Sequence, residues 1–542
     1  MASRGTRSGP AVGSGGEPAP SAARIEALRA ACARSPGSAR PRIDLARALL
    51  KANRAAEAVV PAEQAAALAP ALRAAIETRQ AVASALQAGD PDLTALELTA
   101  ALEPLNVEAH LALGDAYAAL DRPHDGERHF KAALELGRAR DAHAGLGGLY
   151  LAVGMLDAAE HHSRAVLAGE DRGTADDTLI AMAHQTLAGV CAARGDPVGA
   201  ARRLDQAYAR QSLFPQPAAA SPFTTLVLVT RAQGNIAYQS LLPPLRFGRV
   251  VWYMEHARLD QVAALPPHAV VLNAIGDADA AMASQGVVDA FVRQSARPLL
   301  NDPARVRATF RHRLGETLAG LDDVITPQTV RLSAQAIAAQ GLTAAVAGAE
   351  MAPPVLVRPV GSHGGAGLDL AADRVALEKA EVPEGLDAYI TAFHDTRSAD
   401  GYYRKHRVIF IDRRAFPYHL AIGRHWMVHH QNTDMAGDPA RVAEELAFLS
   451  DPAAAIGARA MAAVEAIGRR LDLDYAGLDF AVTGGGQVLV FEANATMLTH
   501  LEPEDGPFAA KNPFIRPIID AFQARLAALA GTSVGRPVGD SA

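Results

Sequence analysis

The chain has 542 residues, which is more than a single hydrophobic core accommodates, so we expect three or four packing units. Its composition, 49% hydrophobic and 20% charged, is typical of globular rather than disordered proteins. The formal net charge of −7 argues against a protein that binds nucleic acid through its overall field. No apolar run approaches the roughly 20 residues that a membrane-spanning helix requires. We therefore predict neither a nucleic-acid partner nor a membrane partner.

The termini and the cysteines indicate a cytoplasmic protein. Residues 1–21 are rich in Gly, Pro, Ser and Ala and contain no hydrophobic segment of the signal-peptide type. We expect a disordered tail there and a second tail at 536–542. Cys32 and Cys191 lie far apart within helical patterns, which favours two small buried hydrophobic side chains over a disulfide or a thiolate metal site.

Residues 22–210 show helical periodicity that repeats itself. LGDAYAAL begins at Leu113 and LGGLYLAV begins at Leu146, thirty-three residues later. Related segments begin near Leu45, Arg79 and Leu187, the last after an acidic insertion around 170–177. Each unit turns at a polar or glycine dipeptide, namely Asn53-Arg54, Gly89-Asp90, Asp121-Arg122, Gly154-Met155 and Gly195-Asp196. We expect small residues where paired helices cross, namely Gly114, Ala118, Gly147, Ala159 and Ala200, with Tyr117 and Tyr150 filling the groove.

This pattern resembles the tetratricopeptide repeat, with about five degenerate units. The resemblance implies an all-α solenoid whose concave face binds a peptide or protein partner. The alternative is an array that only dimerises the protein or braces the rest of the chain.

The pattern changes after residue 210. Residues 211–222 contain three prolines and an Ala-Ala-Ala-Ser run, which predicts a linker. Short β-branched runs follow at 224–230, 249–254 and 269–274, and they alternate with helical stretches. Such alternation predicts an α/β subdomain over residues 223–300.

The clearest chemical signal lies near the end of the chain. A predicted strand, 475–480, carries Asp479, and after the turn TGGGQ a second predicted strand, 488–494, carries Glu492 and Asn494. Residues two apart in a strand point to the same face, so Glu492 and Asn494 project side by side, and Asp479 can converge with them. Two carboxylates and an amide oxygen suit Mg²⁺ held together with nucleotide phosphates. The alternative, charges at a hairpin edge facing water, is disfavoured by the apolar neighbours VLVF.

The run DFAVTGGGQVLVFEANATM, residues 479–497, resembles the ATP-grasp superfamily and in particular its RimK-like carboxylate–amine ligases. The resemblance implies an α+β ATP-grasp fold over 301–535, with 223–300 as its pre-ATP-grasp subdomain. It further implies ATP as cofactor and Asp479, Glu492 and Asn494 as ligands of Mg²⁺, with Mn²⁺ as an alternative.

Other segments take roles in the order that the resemblance requires. The glycine-rich loop after the strand at 355 would cover the phosphates, and no Walker A lysine follows it. The loop residues with this role are Gly361, Ser362, Gly364, Gly365 and Gly367. The segment 299–327 is expected to be helical. Where the family has lysines, this chain offers Arg311 or Arg307 on that segment and Arg358 before the loop.

The resemblance also assigns residues to the base and to the transferred phosphate. Tyr389, Ile390 and Thr391, in a predicted strand at 388–393, would meet the adenine through backbone groups. Arg407, with Lys405 as helper, would face the transferred phosphoryl group as the catalytic cations, whereas Arg404 fits a solvated strand edge equally well.

A group of histidines follows, at positions 419, 425, 429 and 430, and their spacing matches no standard zinc pattern. We interpret them as lining a substrate pocket or as structural. His500 and Glu502 are predicted to lie within reach of a substrate.

The implied reaction is ATP-dependent amide formation. A carboxylate attacks the γ-phosphate to give an acyl phosphate, and an amine then displaces phosphate. The alternative is a nucleotide-binding interaction scaffold with an inactive or regulatory ATP-grasp domain, which the arginines at lysine positions favour. A third possibility, phosphoryl transfer to a small molecule, uses the same nucleotide site.

Overall fold

The computed structural model describes residues 22–52, 54–69, 72–75, 77–78, 91–168, 176–218, 221–231, 233–244, 246–362, 364–428 and 433–531. Both predicted tails, the repeat start at Arg79, the turn at Gly89-Asp90, most of the acidic insertion and His429 and His430 lie outside these residues. The chain divides into two compact units between Ala200 and Ala201. Within the described residues, no helix is both long and apolar enough to cross a membrane.

The first unit consists of helices that pair through short turns. Its helices are α1 (Ala22–Arg34), α2 (Ala39–Lys51), α3 (Ala55–Leu68), α4 (Pro91–Leu102), α5 (Val107–Ala119), α6 (Pro123–Glu135), α7 (Ala139–Ala152), α8 (Leu156–Leu167), α9 (Asp177–Ala193) and α10 (Pro197–Arg210). Asp121, Gly154 and Gly195 take positive φ values of 56°, 76° and 79°, which end the first helix of each pair at three of the predicted turns. α10 continues past the unit boundary at Ala200.

Small residues let these helices approach closely. A Cβ built on Gly114 would overlap the ring of Phe130, as the prediction for this crossing requires, and one built on Gly147 would overlap Ser163. Gly145, which the sequence analysis did not single out, faces the same Phe130 ring. Tyr117 and Tyr150 are buried as predicted.

The second unit opens with a five-stranded sheet in the order β1-β3-β2-β4-β5. Its strands are β1 (Leu213–Gln216), β2 (Thr224–Val229), β3 (Gly248–Tyr253), β4 (Val270–Asn273) and β5 (Leu299–Leu300). All neighbouring strands are parallel except β1, which is antiparallel to β3. The segment 211–222 is therefore more than the predicted linker, because it supplies an edge strand. Pro215 is compatible with that position, since an edge strand has one side without ladder bonds.

Two further sheets follow, and together they confirm the predicted fold class. The first is four-stranded and antiparallel, in the order β7-β10-β8-β9, and the second is five-stranded, in the order β12-β11-β13-β14-β6. The strands are β6 (Val324–Ile325), β7 (Thr329–Leu332), β8 (Val355–Pro359), β9 (Asp369–Ala371), β10 (Ala388–Ala392), β11 (Tyr403–Ile411), β12 (Arg414–Gly423), β13 (Tyr475–Val482) and β14 (Val488–Asn494). The bounds of β14 are those predicted from the sequence.

Helices cover one face of the five-stranded sheet that contains β11 to β14. The helices of the second unit are α11 (Tyr238–Leu241), α12 (Ala278–Ala281), α13 (Gln285–Gln294), α14 (Pro303–Arg307), α15 (Leu314–Thr317), α16 (Ala334–Gln340), α17 (Leu342–Gly348), α18 (Arg374–Lys379), α19 (Pro439–Ser450), α20 (Pro452–Ile456), α21 (Ala458–Leu471) and α22 (Asn512–Leu529). Side chains of β11 to β14 and of α19 to α21 form one apolar core, which includes Phe410, Phe448 and Phe480.

The segment 299–327 differs from the prediction of a helix. Its helical elements are the short helices α14 and α15 and a 3-10 turn at Arg311–Arg313, and the short strands β5 and β6 lie near its two ends. Gly320 and Asp323, at φ values of 76° and 62°, interrupt helical geometry before β6.

Candidate nucleotide site

Three charged residues lie opposite one another on neighbouring strands. Arg407 of β11 pairs in register with Asp479 of β13, and Asp479 pairs in register with Glu492 of β14. Directly opposed residues in antiparallel strands project from the same face. The sheet thus presents a cation and two carboxylates in one row, on the face opposite its apolar core.

Asp479 is held between two cations. Its Oδ1 accepts a hydrogen bond from Arg407 Nε at 2.6 Å, and its Oδ2 accepts from Lys405 Nζ at 2.9 Å and from a terminal nitrogen of Arg407 at 2.8 Å. Asp479 is 3% exposed. Burial by itself raises the pKa of its carboxyl, but Arg407 and Lys405 outweigh burial and hold the pKa far below the ordinary range. Asp479 is therefore an anion at every physiological pH.

Glu492 is paired with Arg311, whose guanidinium donates to Oε1 of the carboxylate. Asn494 Nδ2 donates to the same oxygen at 2.5 Å. Burial raises the pKa of Glu492, whereas Arg311 and then Arg358 lower it, and the net shift is downward. Asn494 Oδ1 accepts from the backbone N–H of Thr496 at 2.9 Å. The structure thus brings together Asp479, Glu492 and Asn494, the three predicted metal ligands.

A β-bulge in β14 gives Phe491 a role that the sequence did not predict. The register shifts between Asp479 and Phe480, so that Phe480 pairs with Val490 and Phe491 is the extra residue. Strict alternation would point Phe491 and Glu492 to opposite faces, whereas both line the same cleft. Phe491 is 40% exposed there, which is unusual for a large apolar side chain in a central strand.

A second bulge lies in β12, directly beside Arg407. Arg407 pairs with His419 but the next residue, Val408, pairs with Pro417, so Tyr418 is the extra residue. Tyr418 and His419 are both buried, and the Tyr418 hydroxyl and His500 Nδ1 are 3.2 Å apart. Burial, more than the nearby Arg407, lowers the pKa of His419 well below its ordinary value. None of these three side chains lines the cleft.

The cleft is lined by residues of the four-stranded sheet and of the sheet that contains β11 to β14, and it encloses about 1250 Å³, including the solvent at its mouth. Cations and acids line one part of it, namely Arg311, Arg358, Arg404, Lys405, Asp479 and Glu492. Apolar and aromatic side chains line the rest, among them Leu356, Phe393, Trp426 and Phe491. Phe393 and Trp426 meet edge to face, with ring centroids 5.9 Å apart. A charged end and an apolar slot suit a ligand that joins a flat ring to an anion.

Arg358 and the glycine-rich loop lie at the charged end. Arg358 Nε donates to Ser362 Oγ at 3.2 Å, and burial followed by the charge of Arg311 lowers the pKa of Arg358 to about 10. The loop glycines Gly361, Gly364, Gly365 and Gly367 all take positive φ values, between 62° and 83°, which other residues rarely adopt. None of these glycines lines the cleft. Arg358 before the loop and Leu368 after it do line the cleft.

Two of the three residues predicted for the base, Tyr389 and Thr391 of the strand predicted at 388–393, line the cleft. β10 is an inner strand, paired with β7 on one side and with β8 on the other, so the backbone of Tyr389, Ile390 and Thr391 is engaged in the ladder. Ile390 is buried in the core of this sheet and does not line the cleft. The Tyr389 hydroxyl donates to Asp279, at 2.9 and 3.0 Å from its two oxygens. A base in the cleft would instead meet the chain just after the strand, at Phe393 and His394.

Four further residues were predicted near the nucleotide or the substrate, namely Arg307, Arg404, His500 and Glu502. Of the two candidate arginines, Arg311 reaches the site, whereas Arg307 pairs with Asp289 at 3.1 Å. Arg404 lines the cleft and pairs with Asp400 and Glu444, and β11 is an inner strand, so Arg404 does not lie at a sheet edge. Glu502 accepts from the buried Lys511 at 3.2 Å and, like His500, does not line the cleft.

The carboxylate oxygens of Asp479 and Glu492 fit a divalent cation, although cations of the protein already bond to them. Asn494 turns its NH2 group towards Glu492, and its oxygen accepts from Thr496. Carboxylate and amide oxygens are the ligands that Mg²⁺ prefers. In the described part of the chain, no three His, Cys, Asp or Glu side chains are arranged to hold a metal ion, and the trio differs because its third member is an amide. The cations near Asp479 and Glu492 have the charge and donor groups that bind the phosphates of a nucleotide. They are Arg311, Arg358, Lys405 and Arg407.

Comparisons with known proteins yield similarities of fold. No family model matches the chain, and no curated protein matches it. A solved tetratricopeptide-repeat protein with an unusual peptide-binding site, YrrB, is 23% identical, with 34% of this chain and 93% of YrrB covered at a TM-score of 0.19. The D-alanine-D-alanine ligase from Coxiella burnetii is 11% identical, with 56% and 96% covered at a TM-score of 0.33. A carboxyaminoimidazole ribonucleotide synthase from Aspergillus clavatus, solved with ATP, is 12% identical, with 55% and 77% covered at a TM-score of 0.33.

Proposed function

We propose that the second unit is an ATP-dependent ligase that joins a carboxylate to an amine through an acyl phosphate. The observation that carries the proposal is the row Arg407, Asp479 and Glu492 on one sheet face, with Arg311 and Arg358 facing it at the charged end of an apolar cleft. Hard oxygen ligands beside four cations suit a magnesium–triphosphate, and the adjacent aromatic slot suits its base.

In this proposal Asp479, Glu492 and Asn494 would hold a magnesium ion, whose charge would offset that of the phosphoryl group. Arg311 and Arg358 hold the inner phosphates, and their planar guanidinium groups bond to phosphate in a bidentate manner that lysine cannot reproduce. Arg407 and Lys405 orient the terminal phosphate for attack by the carboxylate. Catalysis then consists of positioning and charge stabilisation and needs no nucleophilic side chain.

The proposal can be tested without knowledge of the natural substrates. The purified full-length protein is mixed with Mg-ATP, a panel of carboxylic acids and hydroxylamine, which traps an acyl phosphate as a hydroxamate. We expect ADP and hydroxamate to form in equal amounts with at least one acid, and Glu492→Gln to abolish both.

Glu316→Gln is the matched control, because the Glu316 side chain is 79% exposed and lies outside the cleft. It should leave ADP and hydroxamate formation unchanged. Binding of the non-hydrolysable analogue AMP-PNP without ADP release in any mixture would instead favour a nucleotide-binding scaffold.

A further inference from the structure

The charged end of the cleft carries more positive than negative charge. Four cations, Arg311, Arg358, Lys405 and Arg407, surround two carboxylates, Asp479 and Glu492, which leaves an excess of two positive charges.

Asp277 also acts electrostatically on Arg311 and Arg358, but its carboxylate caps α12 by accepting from Ala280 N at 2.8 Å. Positive charge prevails even when Asp277 is counted.

The same oxygens serve two purposes. Arg311 and Asn494 both donate to Oε1 of Glu492, and Arg407 and Lys405 together bond to both oxygens of Asp479. A magnesium ion needs its oxygen ligands at about 2.0–2.1 Å, a distance that excludes an N–H group on the same lone pair. Since Arg311 and Asn494 both bond to Oε1 of Glu492, a metal ion and the guanidinium of Arg311 compete for that oxygen.

We propose that Arg311 exchanges partners, from the Glu492 carboxylate to the phosphates of the nucleotide, so that metal ion and nucleotide bind cooperatively and the metal ion binds poorly alone. This inference rests on the proposed nucleotide site and specifies how it fills. Arg311 thus bonds to Oε1 of Glu492 when the site is empty and to phosphate when the nucleotide is bound.

Charge gives the reason for the cooperativity. A divalent cation alone adds two positive charges to a site that already has a positive excess, and it reaches Oε1 of Glu492 only by displacing Arg311. A triphosphate reverses the excess, accepts the bonds of Arg311 and Arg358, and leaves Glu492 to the metal ion. Because binding linkage is reciprocal, the metal ion must strengthen nucleotide binding by the same factor by which the nucleotide strengthens metal binding.

The test is a titration of the full-length protein with Mn²⁺, followed by the electron paramagnetic resonance signal of the free ion. It is run alone and with saturating AMP-PNP, and AMP-PNP binding is measured by calorimetry with Mn²⁺ and with EDTA. We expect Mn²⁺ alone to bind at least about tenfold more weakly than Mn²⁺ with AMP-PNP, and the calorimetric affinities to differ by the same factor.

The variant Arg311→Gln separates partner exchange from simple damage to the site. Without the guanidinium, Mn²⁺ alone should bind several-fold more tightly, whereas AMP-PNP should bind several-fold more weakly. A structural role alone would weaken both. Arg313→Gln is the matched control, since it removes the same charge two residues away from a side chain that is 55% exposed, and neither affinity should change.

The possible failures are distinguishable. If Mn²⁺ binds the wild-type protein equally well with and without AMP-PNP, or if Arg311→Gln weakens both ligands, partner exchange is wrong while the nucleotide site stands. If AMP-PNP does not bind under any condition, the proposed function itself fails and the exchange fails with it.

Discussion

At the scale of single residues, Asp479 is the side chain on which the charged row depends. Replacing it by asparagine would keep its shape but leave Arg407 and Lys405 partly buried with no carboxylate between them. Removing one partner of a buried ion pair typically lowers the free energy of unfolding by about 3–5 kcal/mol. We expect Asp479→Asn to destabilise the second unit by an amount in this range. Urea unfolding followed by tryptophan fluorescence measures it, because both tryptophans, Trp252 and Trp426, belong to that unit.

Asp400→Asn is the control for this prediction. It removes an acid from an exposed ion pair with Arg404 and should lower the free energy of unfolding by less than about 1 kcal/mol. Equal losses in the two variants would mean that the Asp479 pairs contribute no more than surface pairs.

The sequence predicted the residues whose positions follow from strand alternation and missed those set by bulges. Asp479, Glu492 and Asn494 converge because alternate residues share a face. Phe491 and Tyr418 could not be placed, since a bulge depends on how two strands pair and leaves no simple pattern in either strand. Ile390 was misassigned because its sequence does not reveal that β10 is paired on both sides.

At the scale of helices, the ring of Phe130 fixes how the repeats pack. A methyl group added at Gly145 of α7 would overlap this ring, whereas one added at Gly148 of the same helix meets no atom within 4 Å. We expect Gly145→Ala to lower the free energy of unfolding of the first unit by about 1–3 kcal/mol through overpacking.

Gly148→Ala should raise the same free energy by up to about 1 kcal/mol, because alanine has the higher helix propensity. Urea unfolding followed by circular dichroism at 222 nm compares the two variants. Effects of the same sign would contradict the packing around Phe130.

Two histidine pairs make the first unit sensitive to acid. The Nδ1 atoms of His110 and His129 are 2.9 Å apart, which is a hydrogen-bond distance. The Nδ1 atoms of His143 and His162, thirty-three residues later, are 2.7 Å apart. Burial lowers the pKa of His129 to about 3 and that of His162 to about 4, so the folded state favours neutral rings. The unfolded chain binds more protons below about pH 6.5. Stability should therefore be complete above pH 6.5 and fall as the pH drops towards 4.

His129→Leu tests this pH dependence. Linkage limits the contribution of one buried histidine to about 1.4 kcal/mol per pH unit, and the variant should flatten the slope of unfolding free energy against pH by up to that amount. His124→Gln, an exposed change on the same helix, should leave the slope as it is. A wild-type slope of zero between pH 6.5 and 5 would refute the prediction.

Elements were predictable where periodicity was strong. The helices α5 to α8 and the strands β11 and β14 follow from their apolar spacing. β1 was missed because Pro215 suggests a linker, and only the neighbouring β3 reveals that this stretch completes a sheet edge. The segment 299–327 was assigned as helix although its glycines and positive φ values divide it into short turns.

At the scale of the whole molecule, a ligand should stabilise only the unit that holds its site. With Mg²⁺ and AMP-PNP at a hundredfold excess over the dissociation constant, mass action adds about 2.7 kcal/mol to the free energy of unfolding. We expect this gain in the tryptophan-detected transition of the second unit. Hydrogen exchange in peptides from 107–167 should not change. Slower exchange there and an unchanged tryptophan transition would locate the ligand in the helical array instead.

The bulge at Phe491 has a consequence for how this hairpin can vary. Exchanging one side chain of β14 for another leaves the ladder intact, but deleting or inserting a residue between Val488 and Glu492 would turn one acid away from the other. The spacing of the hairpin is therefore under tighter constraint than its composition. We expect distant relatives with this cleft to vary in the amino acids of β14 but hardly at all in the number of its residues.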